Sequence, residues 1–405
     1  MTSTASALGA ASAGTGRLVC RPLSFQRIPR VAWDRLLALT PAATPFARWT
    51  VHRAWWDAYG STAHEQYVVA VGDPTPANEA GTHATAEVSG DDIRAIVPLM
   101  HRHMIEPDDE ATATILRHTR LRGTRVRPDA KAIFFGASYH CDYATILADP
   151  ADLPAVAEAL VAMLAAEPDR EHGDQPWDVV DLRRLRAADP ALPALEAAFR
   201  AGAERHGWQV IREREDVCPV VTFGEGGWDD YLAGLSKKSR HEIRRKIRRA
   251  EAHGPLTLRR DAPTADGLAR FVALHNARFG EQGLFPANEG GRRSRCFVEH
   301  MAALERAEPD GGQLQLIEVS SGERLIFAAL AFDDGRTCYL YNAGMEPTAA
   351  ELSPGVTGTA TYLRDRMEHG RRRFDFLRGD EPYKYEWGAR DEPIERLLVL
   401  SEPVP

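Results

Sequence analysis

The sequence lacks any apolar run long enough to cross a bilayer. A membrane-spanning helix needs about 20 consecutive, mostly apolar residues, and no window of the 405 residues approaches that composition. Residues 1–16 are small and polar, without the basic start and apolar stretch of a secretion signal. We therefore expect a cytoplasmic, globular protein with no membrane contact.

Cysteine is scarce and shows no metal-binding pattern. The 5 cysteines form no CxxC pair and no spacing with histidine that suits zinc. We expect reduced, buried thiols and no metal site. His140 and Cys141 are adjacent and resemble a base and its nucleophile. Since neighbours on a strand point to opposite faces, we do not expect them to share a proton.

Apolar side chains make up 44% of the chain, which at 405 residues favours two or three domains. Two segments have no periodicity and are rich in Pro, Gly, Ala and Thr, namely residues 1–16 and 73–90. We interpret them as a flexible tail and a mobile loop.

The second half has a clear order of elements. LTLRRD (residues 256–261) is a strand, and helical spacing covers 265–280 and 291–307. Three antiparallel strands follow, joined by Ser-Gly and Asp-Gly turns. Ser353-Pro354 opens a helix that ends at Gly370, and further strands follow it.

The first half repeats this order less clearly, with strands around two helical stretches over 31–59 and later helices over 153–166 and 192–207. The repetition predicts two copies of one α+β unit, joined near residues 212–235. We place an N-terminal domain at 17–212, a connecting segment at 213–254 and a C-terminal domain at 255–405.

Three segments carry a family resemblance: Leu235–Glu251, Leu352–Ala360 and Phe374–Gly388. Their order resembles the tandem-GNAT N-acyltransferases of the CelD-like group and, more distantly, the Fem-type transferases that use aminoacyl-tRNA. The resemblance covers mainly the second half. It implies two tandem GNAT-like domains, each a mixed, mostly antiparallel sheet flanked by helices. It also implies acyl transfer from a carrier to an amine, with acyl-CoA, first of all acetyl-CoA, as co-substrate and no metal.

The predicted donor site lies at the helix that starts at Ser353. A helix N-terminus presents unpaired backbone N–H groups and a partial positive charge, which suits an anion. Acetyl-CoA-dependent GNATs carry Gln or Arg, two residues, Gly, one residue, then Gly or Ala there. This chain keeps the last two elements, but Gly355 stands in place of the Gln or Arg. An ordinary Ser-Pro helix start remains the alternative. The candidate donor-binding residues are Asn342, Ser353, Gly355, Val356 and Gly358.

The segment RGDEPYK, residues 378–384, follows a buried strand and is the predicted catalytic segment. Acyl transfer to an amine needs a proton acceptor, a group near the oxyanion and an acid for the leaving group. We assign these roles to Asp380, to Lys384, and to Tyr341 or Tyr383. A surface ion pair between Asp380 and Lys384 is the structural alternative.

A basic helix precedes this domain in a chain of net charge −8. Between residues 237 and 249 it has eight Lys and Arg and one carboxylate, Glu242, which with Ser239 predicts a capping box. Ile243, Ile247 and Ala250 form a thin apolar stripe. A phosphate-bearing carrier or acceptor, a tRNA backbone and acidic residues of the first domain all fit as partners. The candidate phosphate-binding or carrier-binding residues are Lys237, Lys238, Arg240, Arg244 and Arg245.

Asp142 and Tyr143 are candidates for an acceptor cleft between the two halves, where a small-molecule or carrier-linked amine would bind. Two alternatives to an acyl-CoA-dependent enzyme stay open. One is an aminoacyl-tRNA-dependent transferase, and the other is a non-catalytic polyanion-binding protein with the GNAT fold. DNA is not an expected partner, and the sequence leaves the oligomeric state open.

Overall fold

The structure is a computed structural model that describes residues 17–73, 88–103, 130–137, 139–166 and 176–401. The predicted tail at 1–16 and residues 74–87 of the predicted loop lie outside the described residues.

The first half contains strands and helices in the predicted order. The strands are β1 (Leu18–Pro22), β2 (His64–Glu65), β3 (Val68–Gly72), β4 (Ile93–Val97), β5 (Leu99–His103), β6 (Lys131–Phe135), β7 (Leu147–Ala148), β8 (Val179–Arg186) and β9 (Gln209–Thr222). The helices are α1 (Arg30–Leu39), α2 (Trp49–Tyr59), α3 (Leu153–Ala165) and α4 (Ala191–His206).

The second half confirms the predicted order of a strand, two helices, three antiparallel strands, a helix and a strand. Its helices are α5 (Trp228–Gly234), α6 (Lys237–His253), α7 (Ala265–Phe279), α8 (Glu289–Arg306), α9 (Pro354–Glu368) and α10 (Pro382–Tyr385). Its strands are β10 (Leu256–Asp261), β11 (Leu314–Ser321), β12 (Arg324–Asp333), β13 (Thr337–Met345), β14 (Arg373–Asp375) and β15 (Arg390–Leu400).

The two halves exchange their last strands. The larger sheet has 11 strands in the order β10-β11-β12-β13-β14-β9-β15-β8-β6-β5-β2, and a second sheet has the order β1-β3-β4-β7. Strand β9 follows the helices of the first half but lies beside β14 of the second half. Strand β15 ends the second half but pairs with β8 of the first half. The halves are therefore interlocked through the sheet.

Strand β9 is the main element that the sequence interpretation missed. It runs across residue 212, through a stretch that was interpreted as the start of a connector. Its first part, which includes Arg212, Glu213 and Arg214, alternates exposed and half-buried side chains, whereas 217–221 are buried. Charged residues on the solvent side of a strand give the stretch the composition of a linker, because β-pairing does not show in composition. The domain boundaries themselves stay predictions.

A hydrophobic cluster between the larger sheet and its helices also joins the two halves. Trp55 of α2 and Phe297 of α8 are both almost fully buried in it. Because burial of such side chains contributes about 2 kcal/mol each, the contact between halves is a core and not a loose interface.

A buried ion pair links the exchanged strand β15 to its neighbour β8. Both nitrogens Nε and Nη2 of Arg396 on β15 donate to the carboxylate of Asp181 on β8, at 2.6 Å each. The two side chains are 4% and 0% exposed. Two parallel hydrogen bonds fix the relative position of the strands as well as neutralising both charges.

Among the described residues, no helix is both long and apolar enough to traverse a bilayer. The cysteines are free, and Cys141, Cys218 and Cys338 are buried.

Breaking the buried ion pair should destabilise the whole chain. The substitution Asp181→Asn removes the carboxylate that accepts two hydrogen bonds from Arg396 and leaves the buried guanidinium, among the described residues, only the longer contact with Glu213 at 3.4 Å. We expect the free energy of unfolding to fall by about 3 kcal/mol. Urea denaturation followed by circular dichroism measures this change.

The matched control is the exposed ion pair between β9 and β15, formed by Arg214 and Asp391 at 3.4 Å. We expect Arg214→Gln to cost less than about 1 kcal/mol. Equal losses in the two variants would show that the buried pair does not hold the exchanged strand β15.

Candidate functional site

Strands β13 and β14 diverge and leave a gap in the larger sheet. They pair in parallel only over Thr337–Tyr339 and Arg373–Asp375. After β14 the chain follows β9 instead, with Phe376 N donating to Pro219 O at 3.0 Å and Gly379 N donating to Val217 O at 2.9 Å. Within the described residues, no strand pairs with 340–345 on the side away from β12. Backbone groups of β13 are therefore available to a ligand in the gap.

A β-bulge lies at the point where the gap opens. The register between β12 and β13 shifts so that Leu330 pairs with Asn342 and Ala331 with Leu340, which leaves Tyr341 as the extra residue. A bulge re-aims the side chains around it. Tyr341 points to the first half, where its hydroxyl contacts His140. Asn342 accepts a hydrogen bond from the backbone N–H of Ala343 at 3.1 Å.

A turn of the first half reaches this opening. It follows β6, contains Ala137 at a φ of 60° and brings Asp142 and Tyr143 to the second half. Asp142 accepts from Nε of Arg378 at 3.2 Å, and Tyr143 donates to Asp375 at 2.7 Å. Both predicted cleft residues thus lie at the contact between the halves. The Tyr143 hydroxyl is buried and occupied, whereas the ion pair of Asp142 is partly exposed.

His140 and Cys141 lie in this turn and not on a strand, so the expectation that they lie on a strand was wrong. They still do not form a catalytic pair. The imidazole hydrogen-bonds Tyr59 and Tyr341, and the thiol points to the carbonyl of Phe46 at 4.0 Å. Burial raises the pKa of the Cys141 thiol, so it is not a ready nucleophile.

Lys384 is buried below the loop that follows β14. Its side chain is 3% exposed, and Nζ donates to the carbonyl oxygens of Leu377, Arg378 and Gly379 at 2.9, 2.8 and 3.0 Å. Leu377 has a φ of 58°, which is strained for a residue with a Cβ atom. The geometry gives Lys384 the task of holding this loop. Because Lys384 Nζ already donates to three carbonyl oxygens, these contacts do not favour a role in stabilising the oxyanion, and that role stays a prediction.

Asp380 and Tyr383 lie further out on the same segment. Both are exposed, and the Tyr383 ring meets Phe376 edge to face at 6.2 Å between centroids. Tyr341, by contrast, is half-buried, and burial raises its pKa well above the ordinary value, so its hydroxyl keeps its proton. The structure therefore separates the two candidate acids, with Tyr341 directed from the bulge to the first half and Tyr383 at the surface.

Helix α9 starts beside the gap, as predicted, at Pro354 with Ser353 at a φ of 50°. The N–H groups of Val356 and Thr357 both bond to Ser353 O at 3.0 Å, so only part of the predicted anion site is free. A Cβ on Gly358 would meet the Phe327 ring at 2.2 Å, so this glycine is required for packing on β12. Gly355 faces only the flexible end of Met345 and is half-buried.

The basic helix α6 leads to this helix start. Nη2 of Arg249 donates to Oγ of Ser353 at 2.7 Å. Ile243 and Ala250 are buried and Ile247 packs beside them, which confirms the apolar stripe. The capping box was wrong, because the N-cap is Ser236, which accepts from Ser239 N, while Glu242 pairs with Arg245.

Part of the charge on α6 is neutralised locally. Arg244 pairs with Asp229 at 3.0 Å, and Arg240 donates to Ala233 O at 2.9 Å. Lys237 and Lys238 are exposed and form no ion pair with any residue that the structure describes. In the described part of the chain, the ion pairs of this helix do not reach residues of the first half. The intramolecular explanation of its charge is therefore not supported by these contacts.

Sequence reasoning did not find His140, Arg378 or Asp375 as site residues. His140 was considered only with Cys141, and Arg378 and Asp375 had no signal beyond their place next to a strand end. What joins them is contact across the halves, which spacing along the chain does not encode.

Asp375 has an unusual carboxyl group. Burial raises its pKa to about 6, although hydrogen bonds from Tyr143 Oη and Leu377 N oppose that change. The folded protein therefore binds a proton at this position more tightly than the unfolded chain does.

Comparison with known proteins finds a family match for part of the second half. Residues 237–385 match the model described as "Acetyltransferase (GNAT) domain". No curated protein matches the chain. The crystal structure of FemX is similar at a TM-score of 0.54 and 10% identity, over 91% of this chain and 96% of that chain. A conserved protein of unknown function from Bacteroides thetaiotaomicron VPI-5482 is similar at a TM-score of 0.50 and 12% identity, over 92% and 98%. At these identities the likeness shows the fold.

The raised pKa of Asp375 predicts a pH dependence of stability. Its contribution is lost as pH rises from about 4 to 6, where the folded form must give up its proton, by about 3 kcal/mol in total. In Asp375→Asn this decline is absent, so the stability of the variant relative to the parent should rise across that window. Urea denaturation from pH 4 to 7 measures both curves.

Tyr143→Phe serves as the comparison variant. It removes a hydrogen bond that lowers the pKa of Asp375, so the decline should extend to higher pH. Parallel curves for the parent and Asp375→Asn would contradict the raised pKa.

Proposed function

Starting from the acetyltransferase domain of the GNAT family that residues 237–385 form, we propose that this protein transfers an acyl group from acyl-CoA, or a related phosphopantetheine thioester, to an amine. The fold is α+β with two tandem GNAT-like domains, and the chain is an acyltransferase. Acetyl-CoA is the first donor to test. The acceptor is a small-molecule or carrier-linked amine.

The observation that carries this proposal is the unpaired edge of β13 beside the start of α9. A pantetheine arm is an extended chain with amide groups, and a free strand edge hydrogen-bonds such a chain as it would another strand. The backbone N–H of Ala343 on this strand donates to the side-chain oxygen of Asn342. An incoming amide carbonyl would replace that oxygen as the acceptor. The thioester would then lie near Tyr341 at the bulge.

The phosphate groups of the donor would meet the start of α9. Gly355 and Val356 lie in its first turn, where the helix dipole favours negative charge. Position 355 lacks the Gln or Arg of acetyl-CoA-dependent GNATs. Arg249, which contacts Ser353, would supply a positive charge to the phosphates in its place. Packing against Phe327 already requires a glycine at position 358, so its donor-binding role stays a prediction.

The proposed chemistry uses groups on both sides of the gap. Asp380 is exposed and would accept the proton of the attacking amine, and the protonated Tyr341 would donate to the developing charge or the leaving thiolate. The thioester C–S bond breaks as the new C–N bond forms, and the proton lost by the amine balances the one gained by the thiolate. Asp142 and Arg378 border the place where the acceptor would enter.

An aminoacyl-tRNA-dependent transferase is the second candidate. The exposed Lys237 and Lys238, which have no recorded ion pair, favour it, since they would suit an extended phosphate backbone. Under this alternative, binding falls steeply with salt in proportion to the number of phosphates contacted. A non-catalytic polyanion-binding protein would share the salt dependence but transfer no acyl group.

Gly355→Ala tests the donor site. The added methyl group displaces only the end of Met345, so the fold should persist, but it narrows the approach to the helix start. We expect about a tenfold weaker affinity for acetyl-CoA, measured by calorimetric titration at low and moderate salt. Gly224→Ala is the matched control, because no atom lies within 4 Å of its Cβ.

Micromolar binding of acetyl-CoA by the parent at one site per chain supports the thioester donor. No binding by the parent would overturn it and direct the search to aminoacyl-tRNA.

Asp380→Asn tests the proposed proton acceptor. Because Asp380 is exposed, the melting temperature should not change, while kcat should fall by about 100-fold with the best amine of an acceptor screen. Asp34→Asn, at a half-exposed carboxylate on α1, is the control and should retain activity. Full turnover in a folded Asp380→Asn variant would remove this residue from the mechanism.

A further inference from the structure

An ion pair between the two halves has polar groups that it does not use. Nε of Arg378, in the loop after β14, donates to Oδ1 of Asp142, in the turn of the first half, at 3.2 Å. The two Nη groups of Arg378 and the second oxygen of Asp142 form no hydrogen bond with any residue that the structure describes. The pair therefore keeps donors and an acceptor for a ligand.

A ligand can reach this pair, because neither side chain is fully buried. The Arg378 side chain is 30% exposed and the Asp142 side chain is 17% exposed. Charged groups that are partly removed from water bind a ligand of opposite charge more strongly than groups on the open surface, since water screens them less. The pair also lies where the two halves meet beside the end of a strand, a common place for binding groups.

The loop that carries Arg378 is held in one position. Leu377, directly before it, has a φ of 58°. The buried Lys384 Nζ donates to the carbonyl oxygen of Arg378 at 2.8 Å. Strained backbone persists where the surrounding structure fixes it, and it is frequent at binding sites. The Arg378 guanidinium is therefore presented from a fixed backbone.

The turn that carries Asp142 is held in a similar way. Ala137 begins this turn with a φ of 60°, and the buried Arg184 donates to the carbonyl oxygen of Cys141. Burial first, and then the Arg378 charge, lower the pKa of Arg184, so a second positive charge lies close to the pair. An anionic group bound to Arg378 would reduce this repulsion between the two guanidinium groups.

The unused groups of the pair suit a ligand that has a carboxylate and an amine close together. A planar guanidinium presents its N–H donors in the geometry that a carboxylate accepts. The remaining oxygen of Asp142 accepts a hydrogen bond from an amine or ammonium group. Because both sites belong to one ion pair, the two groups of the ligand must lie on the same carbon atom or on neighbouring ones. Amino acids have this arrangement.

We propose that Asp142 and Arg378 form the acceptor subsite and that the acceptor is an amino acid, with its carboxylate on Arg378 and its amine on Asp142. This inference rests on the proposed function, because the bound amine is the group that would be acylated. It names the class of acceptor that the proposed function leaves open. Each half of the chain supplies one of the two binding residues.

Paired acceptors test the role of the carboxylate. For an L-amino acid that the parent acetylates, we expect kcat/KM to be about 100-fold higher than for its carboxamide, which keeps the amine and lacks the negative charge. Arg378→Gln should lower kcat/KM for the amino acid to about the value for the carboxamide. Equal values for the two acceptors with the parent would overturn the proposal.

Asp142→Asn tests the role of the amine. The variant keeps the size of the side chain but loses the charge that attracts the amine, so kcat/KM should fall about tenfold for the carboxamide as well as for the amino acid. No loss with the carboxamide would overturn the assignment of the amine to Asp142. Arg214→Gln is the matched control, because it breaks an exposed ion pair with Asp391 and should affect neither acceptor.

Binding without a donor separates this inference from the proposed function. In calorimetric titrations with the common L-amino acids, one at a time, the parent should bind at least one with a Kd of about 1 mM or lower. Arg378→Gln should bind it about 100-fold more weakly. Binding of no amino acid, or equal binding by both proteins, would overturn the inference even if other amines are acylated. A parent that binds amino acids through Arg378 but transfers no acyl group would refute the proposed function and keep the subsite.

Discussion

The exchange of the last strands is the constraint on which the rest of the structure depends. Strand β9 lies between β14 and β15, and β15 lies between β9 and β8, so neither half has a complete sheet by itself. The two hydrogen bonds between Arg396 and Asp181 fix the exchanged strand β15 against β8 within a buried environment. Charges placed there require each other, because either one alone would be costly in a low-dielectric interior.

The gap and the first-half turn both follow from that exchange. Since β9 takes the backbone partners of the chain after β14, the end of β13 is left unpaired. The same arrangement brings Asp142 and Tyr143 against Arg378 and Asp375. The proposed donor site in one half and the turn that reaches it from the other are brought together by one topology. The repeated fold unit therefore has two different tasks in the two halves.

Most regular elements could be predicted, because hydrophobic periodicity and turn residues act locally. The alternation in β10 and the Ser-Pro start of α9 are examples, and both lie where they were predicted. Strand β9 was missed because its charged first part has the composition of a linker. The cap of α6 was placed three residues late, because Ser236 and Ser239 are equivalent by composition and only the backbone shows which one accepts the bond.

Local sequence patterns were enough to predict the α+β element order, the start of α9 beside a glycine and the basic character of α6. It also identified Tyr341, Asp142 and Tyr143 as polar residues worth attention. Only the tertiary structure decided that Lys384 binds carbonyls of its own loop and that His140 connects Tyr341 to Tyr59. The physical reason is that helices and turns depend on neighbours along the chain. Hydrogen-bond partners and burial depend on residues that are distant in sequence, here on opposite sides of an exchanged pair of strands.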